Sequence, residues 1–265
     1  MKLSFSTLGC PAWSFEETLD NAKKMGFKGI EVRGIENVMR AEEIPYFWAE
    51  NAENTKAMLQ ARGLEITGLG TSVSFHDANE TEKNLEEGRK AIDVCVIMGI
   101  PRIRVFGDAI VGNKTEIFER VAKGLRVLCE YAEGKNVEIL LEIHGDFNRL
   151  EVILPVVEKI KDRPEFGILW DIEHSHKTYT NKWAEFYEGI KPWVKHTHFK
   201  DCYKKDGEYA ICLPGDGDVP MREVYERLNA DGYPGWYSLE WEKKWHPELP
   251  NPEVAFPAYV KCMTE

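Results

Sequence analysis

The chain has few cysteines, six in 265 residues, and no two of them form a CxxC pair. That removes the usual zinc-thiolate and dithiol signatures, and a chain this long does not need disulfide staples, so reduced thiols are expected. It has no apolar run approaching the ~20 residues of a membrane span, and its opening MKLSFSTLGC lacks the apolar stretch of a secretory signal. A soluble, cytoplasmic protein is expected. Positive charge is also scarce: 34 Lys and Arg face 45 Asp and Glu, a formal net charge of −11. Nucleic-acid affinity rests largely on Lys and Arg contacts to phosphate, so this balance argues against nucleic acid and points to a small polar substrate. Repeats, low-complexity segments and Pro/Gly/Ser-rich linkers are missing as well.

What the chain does have is alternation. Short β-rich runs are predicted at 3–8, 29–33, 65–69, 102–106, 137–143, 167–171, 194–199 and 236–241. Helical spacing is predicted over 15–25, 47–62, 80–98, 114–133, 150–161, 183–190, 221–230 and 252–263. Several helices end in glycine just before the next strand, as in MGFKGIEVR, ARGLEITGL and AEGKNVEILLE, which suits a left-handed cap. Eight strand-helix units without a linker predict one closed parallel (β/α)8 TIM barrel spanning residues 1–265.

Chemistry is concentrated at the strand ends. The runs close on Glu31 and Arg33, His76, Asp108, Glu142 and His144, Asp171 and His174, His196 and His198, and Glu240 and Glu242. In a barrel that is the C-terminal rim, where active sites are built. Four of these positions make a set: Glu142, Asp171, His198 and Glu240, spaced by 29, 27 and 42 residues. Each carboxylate buried on its own would cost several kcal/mol unless something compensated it, either a metal or an arginine or lysine at the barrel top. Four such residues on consecutive strands favour one divalent metal. Three oxygen donors and an imidazole suit Mn²⁺ foremost, with Mg²⁺, Co²⁺ and Zn²⁺ as alternatives. His144 lies two residues past Glu142 and shares its side of the strand, while His196 sits deeper than His198.

The strand-end pattern Glu142, Asp171-Ile172-Glu173-His174, His196-Thr197-His198 and Glu240 resembles the xylose-isomerase-like barrel superfamily, which includes ketose 3-epimerases, hydroxypyruvate isomerases, inosose dehydratases and apurinic-site endonucleases. The resemblance covers essentially the whole chain, from STLGCPAWSFEETLDNAKKMGFKGIEVR through a PGDGD loop at 214–218. It implies a single metal on Glu142, Asp171, His198 and Glu240, with Glu142 and Glu240 as the acid/base pair. It also implies that His174 touches substrate hydroxyls. His144 and Lys200 join it as substrate-binding candidates, and Trp13 and Trp241 are preferred among the aromatics near the entrance over Phe75 and Trp245.

The implied activity is a metal-dependent isomerase or epimerase acting on a small sugar, ketose or keto-polyol through an enediolate. A dehydratase of inosose or 3-keto-sugar type is the alternative, because loss of a β-hydroxyl uses the same first step. The arginine that ketose epimerases place after the histidine ligand is replaced here by Lys204 and Lys205. An apurinic-site nuclease needs further histidines where this chain has Val105-Phe106-Gly107-Asp108 and Gly215-Asp216-Gly217-Asp218, and a non-catalytic barrel subunit would not need the quartet. Homo-oligomers, common among such relatives, are also implied.

Overall fold

The computed structural model describes all 265 residues. Eight parallel strands close into a barrel: β1 (Leu3–Ser6), β2 (Gly29–Val32), β3 (Glu65–Ser74), β4 (Arg102–Phe106), β5 (Glu138–Glu142), β6 (Phe166–Asp171), β7 (Val194–Phe199) and, last in the chain, β10 (Tyr237–Leu239). The wall runs β1-β10-β7-β6-β5-β4-β3-β2. Around it lie α1 (Phe15–Lys24), α2 (Ala49–Arg62), α3 (Thr81–Met98), α4 (Lys114–Ala132), α5 (Leu150–Ile160), α6 (Ile172–Tyr179), α7 (Trp183–Ile190), α8 (Met221–Ala230) and α9 (Pro252–Thr264). None of these helices is long and apolar enough to cross a membrane. The expected (β/α)8 barrel is therefore present, with three local differences. β3 runs five residues past Leu69, an additional helix α6 starts at the end of β6, and an antiparallel hairpin of β8 (Asp201–Lys205) and β9 (Glu208–Cys212) rises after β7.

Local chemistry sets these boundaries. Ser14 opens α1 with a capping box, its hydroxyl accepting from Glu17 N–H while the Glu17 carboxylate accepts from Ser14 N–H, an arrangement worth about 1 kcal/mol. Gly63 and Gly134 take the expected left-handed conformation, at φ of 65° and 73°, and turn the chain back toward β3 and β5. The hairpin turns on Asp206 and Gly207, both at positive φ (51° and 92°), the arrangement that a two-residue turn between twisted strands requires.

Alternation along each strand divides core from site. On β5, Ile139 and Leu141 join the large apolar cluster beneath the helices, whereas Leu140 and Glu142 belong to the barrel interior. Phe106 pairs with Glu142, and Asp171 with His198, so the inward residues of β4 to β7 reach the rim at neighbouring levels.

Candidate active site

The predicted quartet converges. Glu142, Asp171, His198 and Glu240 are all buried, and one potential ligand atom from each lies within 4.8 Å of the others. His198 stands at the centre: its Nδ1 is 3.2 Å from Glu142 Oε1, 3.4 Å from Glu240 Oε1 and 4.0 Å from Asp171 Oδ2. Asp171 has two roles. It caps α6, its Oδ1 accepting from Glu173 and His174 N–H, which leaves Oδ2 turned toward the quartet.

Glu31, noted in the sequence only as a strand end, proves to be the residue that orients His198. Its carboxylate lies 2.9 and 3.0 Å from His198 Nε2, and it also binds His196 Nε2 at 2.8 Å and accepts from Ser238 Oγ at 3.1 Å. A carboxylate at Nε2 holds a proton there and turns Nδ1 toward the three acidic residues, so that Nδ1 is the nitrogen a metal would take in place of a proton. His196 is packed beneath, as expected from its deeper position on β7.

Charge in this buried cluster is unbalanced. Burial works against the His198 imidazolium, yet the Glu240 and Glu31 carboxylates outweigh it and hold the group well above its ordinary range. Burial raises the Asp171 carboxyl to about 7, even though Lys200 pulls the other way. Glu240 is buried too, but His198 and Lys200 keep it well below the usual carboxylate range. Five carboxylates, Glu31, Glu142, Asp171, Glu240 and Glu242, surround this region against four cations, Arg33, Arg104, Lys200 and the His198 imidazolium. With Asp171 ionised, one negative charge is left over. Glu142 Oε2 and Asp171 Oδ2, buried beside Arg104 and Lys200, also accept no aligned hydrogen bond. A divalent cation held by three carboxylates and one imidazole answers both observations, so the residues present fit a metal.

The other compensating route open to the sequence is present too, because basic residues accompany the quartet. Lys200 is only 1% exposed, and its Nζ lies 3.0 Å from Asp171 Oδ2, 2.8 Å from Glu240 Oε2 and 2.5 Å from Glu242 Oε1. The expected substrate-binding lysine is thus placed behind the ligands, as their counter-ion. Arg104 Nε lies 3.2 Å from Glu142 Oε2.

A cavity of about 190 Å³ opens above, lined by Leu8, Arg33, Arg104, Phe106, Glu142, His144, Glu240, Glu242 and Trp245. His144 is on it as expected, with its Nδ1 3.6 Å from Asp108 Oδ1. Burial opposes the charged form of His144, but Asp108 and Glu142 hold it above its ordinary value. His174 stands next to it, ring centroids 4.6 Å apart. The aromatic expectation fares differently. Trp241 is fully buried, its indole N–H donating to Pro250 O at 2.9 Å, and Trp13 donates to Glu253 and lines a separate small hollow. Phe75 is fully buried in the core, so of the four aromatics only Trp245, 53% exposed, lines this cavity.

The roof is tied to the site by Asp201. Its carboxylate accepts from the N–H groups of Cys202, Gly215, Gly217 and Val219, joining the root of the hairpin to the PGDGD loop. An added Cβ on Gly217 would fall within van der Waals contact of that carboxylate, so only glycine allows the approach.

This barrel and strand-end site are those of the xylose isomerase-like TIM barrel family, to which the chain belongs by its match over residues 19–260. It is an enzyme of that family. It is similar to an inosose dehydratase of Serratia proteamaculans, 25% identical over 98% of this chain and 97% of the relative. Among solved structures it resembles the 3-keto-D-glucoside 4-epimerase of E. coli (TM-score 0.78, 19% identity, 99% and 98% of the two chains). It also resembles the IOLI protein solved with a bound zinc atom (TM-score 0.78, 19% identity, 99% and 96%).

Proposed function

We propose that the protein is a divalent-metal-dependent isomerase or epimerase of small sugars or keto-polyols, moving a proton on a carbon next to a carbonyl. The observation that carries this reading is the convergence of Glu142 and Glu240 on one imidazole, His198, from positions separated in the wall by β6 and β7. The metal would be held by Glu142, Asp171, His198 and Glu240, with Mn²⁺ preferred for this oxygen-rich set. When bound, it supplies Lewis acidity toward a carbonyl and the neighbouring hydroxyl.

The chain's own residues do the rest. Glu31 keeps His198 in the Nε2–H tautomer. Lys200 holds Asp171 and Glu240 apart from each other's charge. Either Glu142 or Glu240 takes the proton from the substrate carbon, and the other returns one. Return to the opposite face epimerises that carbon; return to the adjacent carbon isomerises the sugar.

A second reading, dehydration, is favoured by His144. Raised by Asp108 and standing on the cavity wall, its imidazolium can give a proton to a departing β-hydroxyl, so that carbanion formation and C–O cleavage release water. The inosose dehydratase relative supports this branch.

The test is proton exchange. Mn²⁺-loaded protein is incubated in D₂O with a panel of ketoses, inososes and 3-keto-sugars, and deuterium at the carbon next to the carbonyl is read by NMR. Exchange is expected for at least one member and is lost in Glu142→Gln and in Glu240→Gln. If metal content and exchange both survived in the two variants, the reading would fail. Product analysis then separates epimer, isomer and dehydration product.

A further inference from the structure

Arg33 and Arg104 are not used by the chemistry above, yet both line the cavity and are 8% and 4% exposed. Arg33 follows β2, and its guanidinium donates to Ser72 Oγ at 2.7 Å and Met39 O at 3.4 Å. Arg104, at the middle of β4, lies with its guanidinium carbon 4.0 Å over the Phe106 ring. Its Nε and Nη1 are buried with no hydrogen-bond partner, because the nearby Glu142 Oε2 is close in distance but not aligned.

The two side chains are neighbours. A Cβ built on Gly70 would fall 2.7 Å from Arg33 Cδ and 2.8 Å from Arg104 Nη2, so the glycine at this point of β3 lets both pass. Two guanidinium groups placed together in a buried wall repel one another, even with Glu142, Glu240 and Glu242 in the same wall, and buried charged donors without aligned acceptors are costly. A planar fork of N–H groups is matched by an anionic oxygen pair.

From this juxtaposition we infer that Arg33 and Arg104 form an anion subsite, and that the substrate is an acidic keto-polyol carrying a carboxylate or phosphate. The inference rests on the proposed keto-polyol chemistry. Glu142 faces His198 with Oε1 and Arg104 with Oε2, so the anionic group lies beside the reacting carbons rather than at the far end of the molecule. That favours a carboxylate attached next to the ketone.

The probes are 2-keto-D-gluconate and D-fructose, which differ in one carboxylate for one hydroxymethyl group, together with D-fructose 1-phosphate, whose phosphate also sits beside the ketone, for the phosphate source. Binding to the Mn²⁺-loaded full-length protein is measured by calorimetry. The acid is expected to bind about 10- to 100-fold more tightly than D-fructose, the value of a charge-assisted pair. That ratio should fall toward one in Arg104→Gln and in Arg33→Gln, and return in part in Arg104→Lys, with circular dichroism confirming that each variant is folded. Preference for D-fructose 1-phosphate, lost in the same variants, would support the subsite with phosphate as its source.

Equal binding of the neutral probe and both anionic probes, a ratio unchanged in both glutamine variants, or no binding of either anionic probe would overturn the inference. The deuterium assay keeps the two ideas apart. Exchange confined to neutral ketoses refutes the anion subsite and leaves the proposed function standing. An arginine-dependent ratio without exchange on any substrate does the reverse.

Discussion

Replacing Lys200 by Met keeps the length of the side chain and removes one buried positive charge from among Asp171, Glu240 and Glu242, which lie 3.0, 2.8 and 2.5 Å from it. The carboxylates stay buried, so the excess of one negative charge becomes two. Removing one partner of a buried ion pair costs roughly 3–5 kcal/mol. In a chain of this size 1 kcal/mol corresponds to about 2–4 °C in Tm, so a fall of roughly 10 °C is expected in EDTA. Mn²⁺ should then stabilise the variant more than the native protein, because binding adds stability as RT ln(1 + [L]/Kd) and the more negative cluster lowers Kd. Differential scanning calorimetry with and without Mn²⁺ reads both numbers. A melting point in EDTA within about 2 °C of the native protein would show that Lys200 is not the counter-ion of these acids. A drop with no larger gain from Mn²⁺ would show that lysine and metal do not share them.

Three further outcomes follow from other parts of the structure. Glu31→Gln should weaken Mn²⁺ binding about 10- to 100-fold by loosening His198, as measured by calorimetry; unchanged affinity would remove Glu31 from that role. Asp201→Ala strips four backbone N–H groups of their acceptor and should cost about 3 kcal/mol. Amide exchange should accelerate at 202 and over 215–219, and unaltered exchange there would count against it. Burial pushes the Cys10 and Cys129 thiols up to about 12. Their thiolates form only as pH approaches that value, so iodoacetamide at pH 8 should leave both unmodified in the folded protein, as read by peptide mass spectrometry.

The strand-helix alternation and the quartet could be read from the sequence because each rests on local pattern: apolar period, glycine caps, and an acid or histidine closing a run. Partners far apart could not. Nothing near Glu31 marks it as the residue facing His198, since 167 positions separate them and the barrel closes between them. Lys200 reads as a substrate-binding candidate, and its place as counter-ion shows only once the three carboxylates around it are seen. Arg104 sits in a run, Arg102-Ile103-Arg104-Val105-Phe106, whose alternation places it inside the barrel but says nothing of what it faces. Two elements did carry a local signal that strand counting passed over. Asp206-Gly207 between alternating segments marks the β8–β9 hairpin, and Asp171 followed by Glu173 is a helix start as well as a strand end. Trp241 shows the opposite limit: adjacency to Glu240 does not bring a side chain to the cavity, because neighbours on an extended chain point to opposite sides.

The peptide bond between Lys200 and Asp201 separates two kinds of structure. Lys200 belongs to the charged floor, whereas Asp201 clamps the base of the hairpin and the return loop with one carboxylate. Everything beyond the clamp, from Tyr203 to Tyr209, is a module whose ends are held independently of its tip. The tip can therefore be exchanged like a cassette: loops of other length and composition grafted between 203 and 209 should leave Glu142, Asp171, His198 and Glu240 in place while changing what reaches them. For an engineer, that hairpin is the first place to cut, and Asp201 is the residue to leave alone.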